Sequence, residues 1–446
     1  MIVNFSVGNW MSFRDPAELS LLATSERQHG ERVPRSKGLQ KRVVPIAAIY
    51  GGNASGKTNL FQALNAMQDL VVEGTKIDAP IRVEPFRLDG QRDPTPTAFA
   101  IEVLIDDKIW QYQFSCTRKC IVSESLRVFS RSSERVLFER QDGVITPGAD
   151  AVSERSFLEF AAKGTRDNQL YLTNTVSQKI DDFKPIYDWF RKGLILVAPD
   201  ARFGAFDKLV DRDGPFHGPI SESLRRLDTG ITELGCEPVD LEALGIPRSF
   251  MEDLQGSLSD HNAVRFFHPK TDDRIIVRRN KAGDIEAQRL ITYHKNAQGE
   301  KVRFDIQHES DGSQRAIDLL PAFFSLSEGA PITYVIDELD RSLHTQLTRS
   351  LITHFLESCH ADSRSQLLLT THDVQLMEQN LFRRDEMWLV ERDAHGASQL
   401  VPFSDFNKDN RYDKDIRKAY LQGRMGGVPR ILPWRSEAVT PLEGRQ

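Results

Sequence analysis

Hydrophobic and polar positions follow three patterns along the chain. Residues 43–50, VVPIAAIY, form an unbroken apolar run of the kind found in a strand buried on both faces, and the run stops at GGNASGKT. Behind that loop Leu60, Phe61, Leu64, Met67, Leu70 and Val71 recur at helical spacing, which predicts a helix opening where the loop ends. The second pattern has period two. AFAIEVLI (98–105) and IWQYQFSC (109–116), separated by DDK, predict a hairpin, and CIVSESLRVFS and RVLFER extend strand-like alternation to about residue 140. Residues 150–260 read as mostly helical, with KIDDFKPIYDWFRKGL and ISESLRRLDTGITEL as the clearest segments. RIIVRRNKAGDIEAQRLITYH and GEKVRFDIQHE then alternate again, with turns expected at KAGD and NAQGE. The third pattern is α/β. ITYVIDE (332–338) is an apolar strand ending in two acids, Leu347, Leu351, Ile352 and Phe355 mark a crossover helix, and QLLLTTHD (366–373) and MWLVER (387–392) are further strands. Strands joined by helices predict a parallel sheet with ligands at the strands' C-terminal ends.

Composition narrows the reading. The chain has 446 residues, 39% hydrophobic and 27% charged, which fits a globular protein of two to three domain-sized units. No apolar run is long enough for a membrane span, and MIVNFSVGNWMSF lacks the basic stretch and apolar core of a secretion signal, so a cytoplasmic protein is expected. The four cysteines, Cys116, Cys120, Cys236 and Cys359, form no CxxC pair and are expected to be reduced thiols rather than zinc ligands. A net charge of −6 argues against a globally basic nucleic-acid binder. Two local basic clusters remain: Arg27, Arg32, Arg35, Lys37, Lys41 and Arg42, and Arg274, Arg278, Arg279 and Lys281. Each is either a solvated surface or a contact for a phosphate backbone or partner.

Chemistry concentrates in a few stretches. Gly51, Gly52, Asn53, Ala54, Ser55, Gly56, Lys57 and Thr58 match GxxxxGK[ST] in full, between a strand and a helix as a phosphate-binding loop requires. There the glycines let the backbone wrap a triphosphate, Lys57 reaches the β and γ phosphates, and Thr58 offers a hydroxyl to Mg²⁺. Asn59 follows on the same helix start and is placed with the nucleotide-binding group. Asp337, ending a buried strand, is positioned to hold Mg²⁺, and Glu338 beside it to polarise an attacking water as general base. His372 ends another apolar strand, where it can bond a γ phosphate and sense its loss. ESDGSQRAIDLL (309–320) puts Ser310, Gly312 and Ser313 before a strongly helical run, a second anion-binding helix start in the same chain.

Together these residues resemble the ABC-type ATPase superfamily, in its soluble branch with RecF, SMC and OLD-family proteins. The resemblance implies a P-loop NTPase fold of ABC type with a parallel core sheet, an antiparallel β lobe and a mainly helical insert, acting on ATP with Mg²⁺. It implies that Ser310 and Gly312 belong to the signature that binds the γ phosphate held by another subunit's P-loop, so the protein pairs with itself in an ATP-sandwich dimer or a higher homo-oligomer. SDGS departs from the common LSGGQ, with Asp311 replacing a glycine and Ser313 the glutamine. An acid near a triphosphate is unfavourable unless it points away or meets a base such as Arg315. LDRSLH resembles the superfamily's D-loop, with Asp340 at its position and His344 in the SLH pattern of the OLD-like branch. Gln91 in PFRLDGQ is the candidate for the glutamine-containing loop.

A narrower resemblance rests on two further stretches. VGNWMSFRD resembles the NFxSF opening of the branch, and YLQGRMGGVPRI resembles a tail of stand-alone ATPases of bacterial anti-phage systems such as PARIS, RloB/AbiL-type and Septu-type modules. Those systems pair the ATPase with a separate effector. The implied function is a sensor and regulatory scaffold that controls a toxic effector, a nuclease, in response to a phage protein or DNA. The alternative is a DNA-repair or chromosome-maintenance ATPase of RecF or SMC type, and a transporter subunit fits poorly because the region between Lys57 and Ser310 is too long. The expected division is 1–145 for the P-loop and β lobe, 146–262 for the insert, 263–400 for the rest of the ATPase domain and 401–446 for a tail region. OLD-family nucleases need a Glu and a later DxD after the ATPase, and here the late DxD is Asp413 and Asp415 in RYDKDIRKAYL. Acids in the first turn of a helix complement its dipole, so no nucleic-acid cleavage by this chain alone is expected.

Overall fold

The computed structural model describes the chain apart from residues 37–40, 90–94, 203–216, 242–243, 248–249, 252–253, 255–257, 259–262, 280–283, 408–415 and 424–446. Strands β1 (Ile2–Gly8) and β2 (Ala17–Ser20) lead to β3 (Ile46–Tyr50), whose residues are all buried, and then to helix α1 (Lys57–Val72). The antiparallel run β4 (Thr97–Ile105), β5 (Lys108–Cys116), β6 (Ile121–Phe129), β7 (Glu134–Gln141) and β8 (Val144–Pro147) follows. With β1 and β2 it forms a seven-stranded sheet in the order β2-β1-β4-β5-β6-β7-β8. The expected hairpin is present with a tighter turn than DDK suggests. Lys108 already belongs to β5, and only Asp106 (φ 49°) and Asp107 (φ 56°) turn the chain, both left-handed as the twist of a two-residue hairpin demands.

The stretch expected to be mainly helical contains α2 (Arg155–Lys163), α3 (Tyr171–Ser177), α4 (Lys184–Asp188) and a π turn at Trp189–Gly193. It also holds strand β9 (Leu194–Val197), at the end of KIDDFKPIYDWFRKGL. Four aliphatic residues are too few for periodicity to separate strand from helix. What decides is pairing: β9 lies parallel to the strand Thr333–Ile336, which leads into Asp337, over the full length of both. Helix α5 (His217–Arg226) then gives way to β10 (Glu233–Pro238), again turning the end of a helical-looking segment into a strand. Gly230, at φ +75°, makes the break between them.

Strands β10, β11 (Ala263–Phe267), β12 (Arg274–Arg279), β13 (Ile285–Lys295) and β14 (Lys301–Asp305) form a smaller antiparallel sheet. The turn at NAQGE is where expected, whereas KAGD lies largely outside the described residues. Helix α6 (Asp311–Ser327), β15 (Thr333–Ile336), α7 (Thr345–Ser358), β16 (Gln366–Thr370), β17 (Met387–Arg392) and β18 (Ser398–Pro402) complete the chain's main elements. The core sheet runs β18-β17-β3-β16-β15-β9, parallel except for the β17–β18 pair. Alternate residues of β3 serve two cores: Ala47 and Ile49 join α1 and the large antiparallel sheet, while Ile46, Ala48 and Tyr50 pack with α6 and α7. The fold is therefore α/β, and the ends of β3, β15 and β16 share one rim of the parallel sheet.

Candidate functional site

The loop after β3 is built so that its backbone can close on a ligand. Gly56 has φ +119°, and a Cβ there would lie 2.8 Å from the Ser12 hydroxyl and closer still to that of Ser398, so only glycine fits. Ala54 is left-handed as well, at φ 58°. Ser398 Oγ donates to the Ser55 carbonyl (2.5 Å) and lies 2.7 Å from Ser12 Oγ, while Asn59 Nδ2 donates to Ser12 Oγ (2.7 Å) and Trp10 Nε1 to the Asn59 carbonyl (2.8 Å). Thus the N-terminal stretch that looked like a family signature acts here as a buttress. The resulting cleft, about 480 Å³, is lined by Ser12, residues 53–59, Glu338, His372 and Arg392.

Lys57 is 4% exposed, and its ammonium donates to the carbonyls of Gly51 (2.8 Å) and Gly52 (3.1 Å). Burial pushes its pKa down to about 8, although Asp337, Glu338 and Asp340 oppose the shift. The same ammonium lies 3.3 Å from His372 Nδ1. An ammonium has no acceptor, so Nδ1 must accept, which leaves the ring proton on Nε2, 3.6 Å from Glu338 Oε1. The His372 backbone N–H points at both carboxylate oxygens of Asp340 (3.3 and 3.4 Å).

Asp337 is fully buried, with its N–H bonded to the carbonyl of Val197 on β9 (2.9 Å). Its Oδ1 accepts from the Thr370 hydroxyl (2.5 Å), while Oδ2 is buried with no partner. Burial raises the carboxyl's pKa, and the Thr370 hydrogen bond and the nearby Thr58 hydroxyl pull it back. A carboxylate oxygen without a partner beside a threonine hydroxyl is a hard-oxygen donor set that suits Mg²⁺, which takes few protein ligands and completes its shell with water and phosphate. Among the described residues no group of three or more His, Cys, Asp or Glu could hold a metal on its own.

The Thr370 hydroxyl also accepts the N–H of Glu338 (2.8 Å), whose φ of 49° turns its side chain toward the cleft. One hydroxyl therefore orients both acids. Its only trace in the sequence is a polar residue closing the apolar run QLLL.

Ser310 and Gly312 do not line this cleft. Ser310 is the N-cap of α6, its Oγ accepting from Ser313 N (3.1 Å). Gly312 sits against the loop after Asp340, where a Cβ would come within 2.7 Å of the Ser342 carbonyl. Asp311 is exposed and does not meet Arg315, as one alternative had it: Arg315 donates to the Ala201 carbonyl (3.1 Å). His344, to which the sequence assigned no role, caps α7 through Nδ1 and Gln346 N (3.2 Å). Gln91, Lys37, Lys281, Asp413, Asp415 and the tail after Gly423 lie outside the described residues.

The basic clusters are partly structural. Arg32 is buried against Glu386 (2.5 Å), Arg42 donates to the Gly30 carbonyl (3.2 Å), and Arg274 is buried against Asp318 (2.8 Å). Arg27, Arg35, Lys41, Arg278 and Arg279 are exposed.

Residues 46–378, from the first residue of β3 to beyond His372, match the family described as "AAA domain, putative AbiEii toxin, Type IV TA system". The chain belongs to this AAA-domain family. The match covers the phosphate-binding loop, the α6 start, both acids and His372, so this AAA-domain chain is a P-loop ATPase-type protein. No curated protein matches its sequence. Among solved structures the AAA-domain chain is similar to the SMC head domain from Thermotoga maritima, at 13% identity and a TM-score of 0.34, over 90% of this chain and 98% of that one. It is also similar to an Smc head bound to the C-winged helix domain of ScpA (14% identity, TM-score 0.37, 90% and 97% covered). A third is an Smc head with an extended coiled coil bound to the C-terminal domain of ScpA derived from Pyrococcus furiosus (14%, 0.38, 91% and 98%). Among its described residues the AAA-domain chain has no helix long and apolar enough to cross a membrane.

Proposed function

We propose that this AAA-domain protein binds ATP with Mg²⁺ at the Lys57 cleft and hydrolyses it to ADP and phosphate at a site completed by the Ser310 turn of a second copy. The observation that carries this reading is the partition of the polar groups. Lys57, Glu338 and His372 line one cleft, with Asp337 buried beside Lys57 and Thr58, while a second helix start of anion-binding type lies outside it. In the cleft Lys57 holds phosphate oxygens, and Asp337 Oδ2 with Thr58 Oγ1 holds the cation. Glu338 orients a water and takes its proton. His372, through the Nε2 proton, links the acid to the phosphate end of the cleft. Mg²⁺, when bound, supplies charge neutralisation for the phosphoryl group being transferred.

The nucleotide cycle then serves to hold or release a separate effector protein, a nuclease, in a cytoplasmic anti-phage system triggered by a phage protein or DNA. The family's description, which names a toxin–antitoxin system, supports a chain that works with a partner. A second reading, a DNA-repair or chromosome-maintenance ATPase of RecF or SMC type, is favoured by the exposed Arg278 and Arg279 on β12. DNA that stimulates hydrolysis with a steep salt dependence would select this second reading.

The chemistry is tested by two variants of the full chain. Lys57→Ala should lose nucleotide binding. Glu338→Gln should bind ATP normally while hydrolysis falls by about 10²–10⁴-fold, the range set by removal of a general base. Undiminished hydrolysis in both would sink the assignment.

A further inference from the structure

The turn that leads into Ser310 is held by a neighbour that takes no part in capping the helix. Thr292 and His294 occupy alternate positions of β13 and so share one face of the small sheet. Both deliver a hydrogen bond to the same oxygen, Oε1 of Glu309: His294 Nε2 at 2.7 Å and Thr292 Oγ1 in a very short contact. The Glu309 side chain is only 6% exposed, which is unusual for a carboxylate at the mouth of a helix. Glu309 immediately precedes Ser310, and Gln314 Nε2 donates back to its carbonyl at 3.0 Å. The His294 ring is itself confined. It packs on Phe304 (centroids 4.7 Å apart), and a Cβ at Gly230 would lie 3.3 Å from its Nδ1.

The same sheet grips α6 a second time. Arg274 of β12, 2% exposed, reaches Asp318 through Nη1–Oδ1 at 2.8 Å and Nη2–Oδ2 at 3.1 Å, two turns along the helix. Capping does not explain these contacts, because Ser310 already satisfies Ser313 N with its own hydroxyl. What the contacts fix is the path of the chain into Ser310. A displacement of about 1 Å in a group that must meet a phosphate can cost about 10²-fold in rate.

We propose that Thr292, His294 and Glu309 are positioning residues for the reaction, and that the small sheet, through them, decides whether Ser310 stands where the partner's nucleotide needs it. This rests on the reading of Ser310 as a contact to a nucleotide held by a second copy, and the experiment separates the two. Steady-state hydrolysis by the full chain is measured for Glu309→Ala, Glu309→Gln, Thr292→Val and Ser310→Arg. Affinity for a fluorescent ATP analogue is measured alongside on dilute protein. Glu309→Ala should lower kcat by about tenfold or more, with analogue affinity within about twofold of the parent, because the Lys57 cleft is untouched. Glu309→Gln keeps an oxygen for both donors and should recover at least about half of the parental kcat.

Should Glu309→Ala fail to fold, as its melting curve would show, Thr292→Val removes one hydroxyl at constant shape and should still lower kcat by about threefold. The positioning claim is overturned by parental kcat in Glu309→Ala, or in Thr292→Val where the first variant does not fold, when Ser310→Arg abolishes hydrolysis. It is overturned equally if Glu309→Gln is as impaired as Glu309→Ala. Parental hydrolysis in Ser310→Arg would instead refute the shared-site reading beneath it.

Discussion

The two helix starts proposed to meet phosphate, at Lys57 and at Ser310, are assembled in opposite ways. At Lys57 the supporting groups come from far along the sequence: Ser12, Ser398, Asp337 and His372 all reach a loop of eight residues. Burial there leaves polar groups under tension, with a lysine of depressed pKa and a carboxylate oxygen lacking a partner. At Ser310 the cap is local, made by Ser313, and the distant support comes from β12 and β13. The first start reads as a binding site in need of a ligand, whereas the second is a finished surface held ready to meet something. Two halves of one site, divided between copies, would have this asymmetry.

The strongest way to break the comparison is to mix defects. A Lys57→Ala chain and a Ser310→Arg chain should each be inactive, yet random pairing leaves one intact site per mixed dimer and should restore roughly a quarter of the parental hydrolysis. If mixed dimers demonstrably form and activity stays at the level of either variant, the halves do not belong to one site.

A smaller effect separates the two regions by what fails. Thr370→Val strips the hydrogen bonds of Asp337 and Glu338 together. It should cost about 1–3 kcal/mol of stability, as for buried groups left unpaired, and weaken Mg²⁺-dependent binding as well as turnover. Gly312→Ala drives a Cβ toward the Ser342 carbonyl and should cost about 1–3 kcal/mol from overpacking, yet leave nucleotide affinity intact while turnover falls. Denaturant melts and analogue titrations read the difference. Equal loss of affinity in both variants would erase the distinction.

The smallest effect is a pair of opposed pH slopes. Because burial pushes the Lys57 pKa from the ordinary lysine value of 10.5 down to about 8 in the folded chain, the unfolded chain binds more protons between those values. Its contribution to stability therefore rises with pH across that window. Nucleotide affinity should move the other way, weakening as pH passes about 8 and the ammonium is lost. Lys57→Arg, whose charge persists, should flatten both slopes. Melting temperature and analogue affinity between pH 7 and 10 check the pair, and parallel slopes would refute it.

Much of the Lys57 region was legible because its information is consecutive. A run of eight residues, the apolar strand before it and the 3.6-residue repeat after it all lie within reach of local pattern, and Leu60, Leu64 and Met67 are buried as that repeat requires. Asp337, Glu338 and His372 were legible for the same reason, each closing a short apolar strand. Local pattern failed where a segment's state depended on a distant neighbour. Leu194–Val197 reads as the end of a helix and becomes a strand because β15 offers it a ladder. Arg32 and Arg274 read as surface charge and are buried because Glu386 and Asp318 wait for them.

The sequence by itself determined the glycine-containing loop between β3 and α1, the two acids that close a buried strand near it, and the α/β alternation that brings strand ends to one rim. These follow from short-range sterics, helix and strand periodicity, and the side-chain types that phosphate and Mg²⁺ require. Tertiary structure alone decided that Thr370 would orient two acids with one hydroxyl. It alone decided that Ser12 and Ser398 would brace the loop, that Gly312 would abut Ser342, and that β13 would clamp the turn before Ser310. Contacts between residues 15 to 343 positions apart leave no periodic mark on the chain, because they are selected by the packing of whole elements rather than by any local propensity.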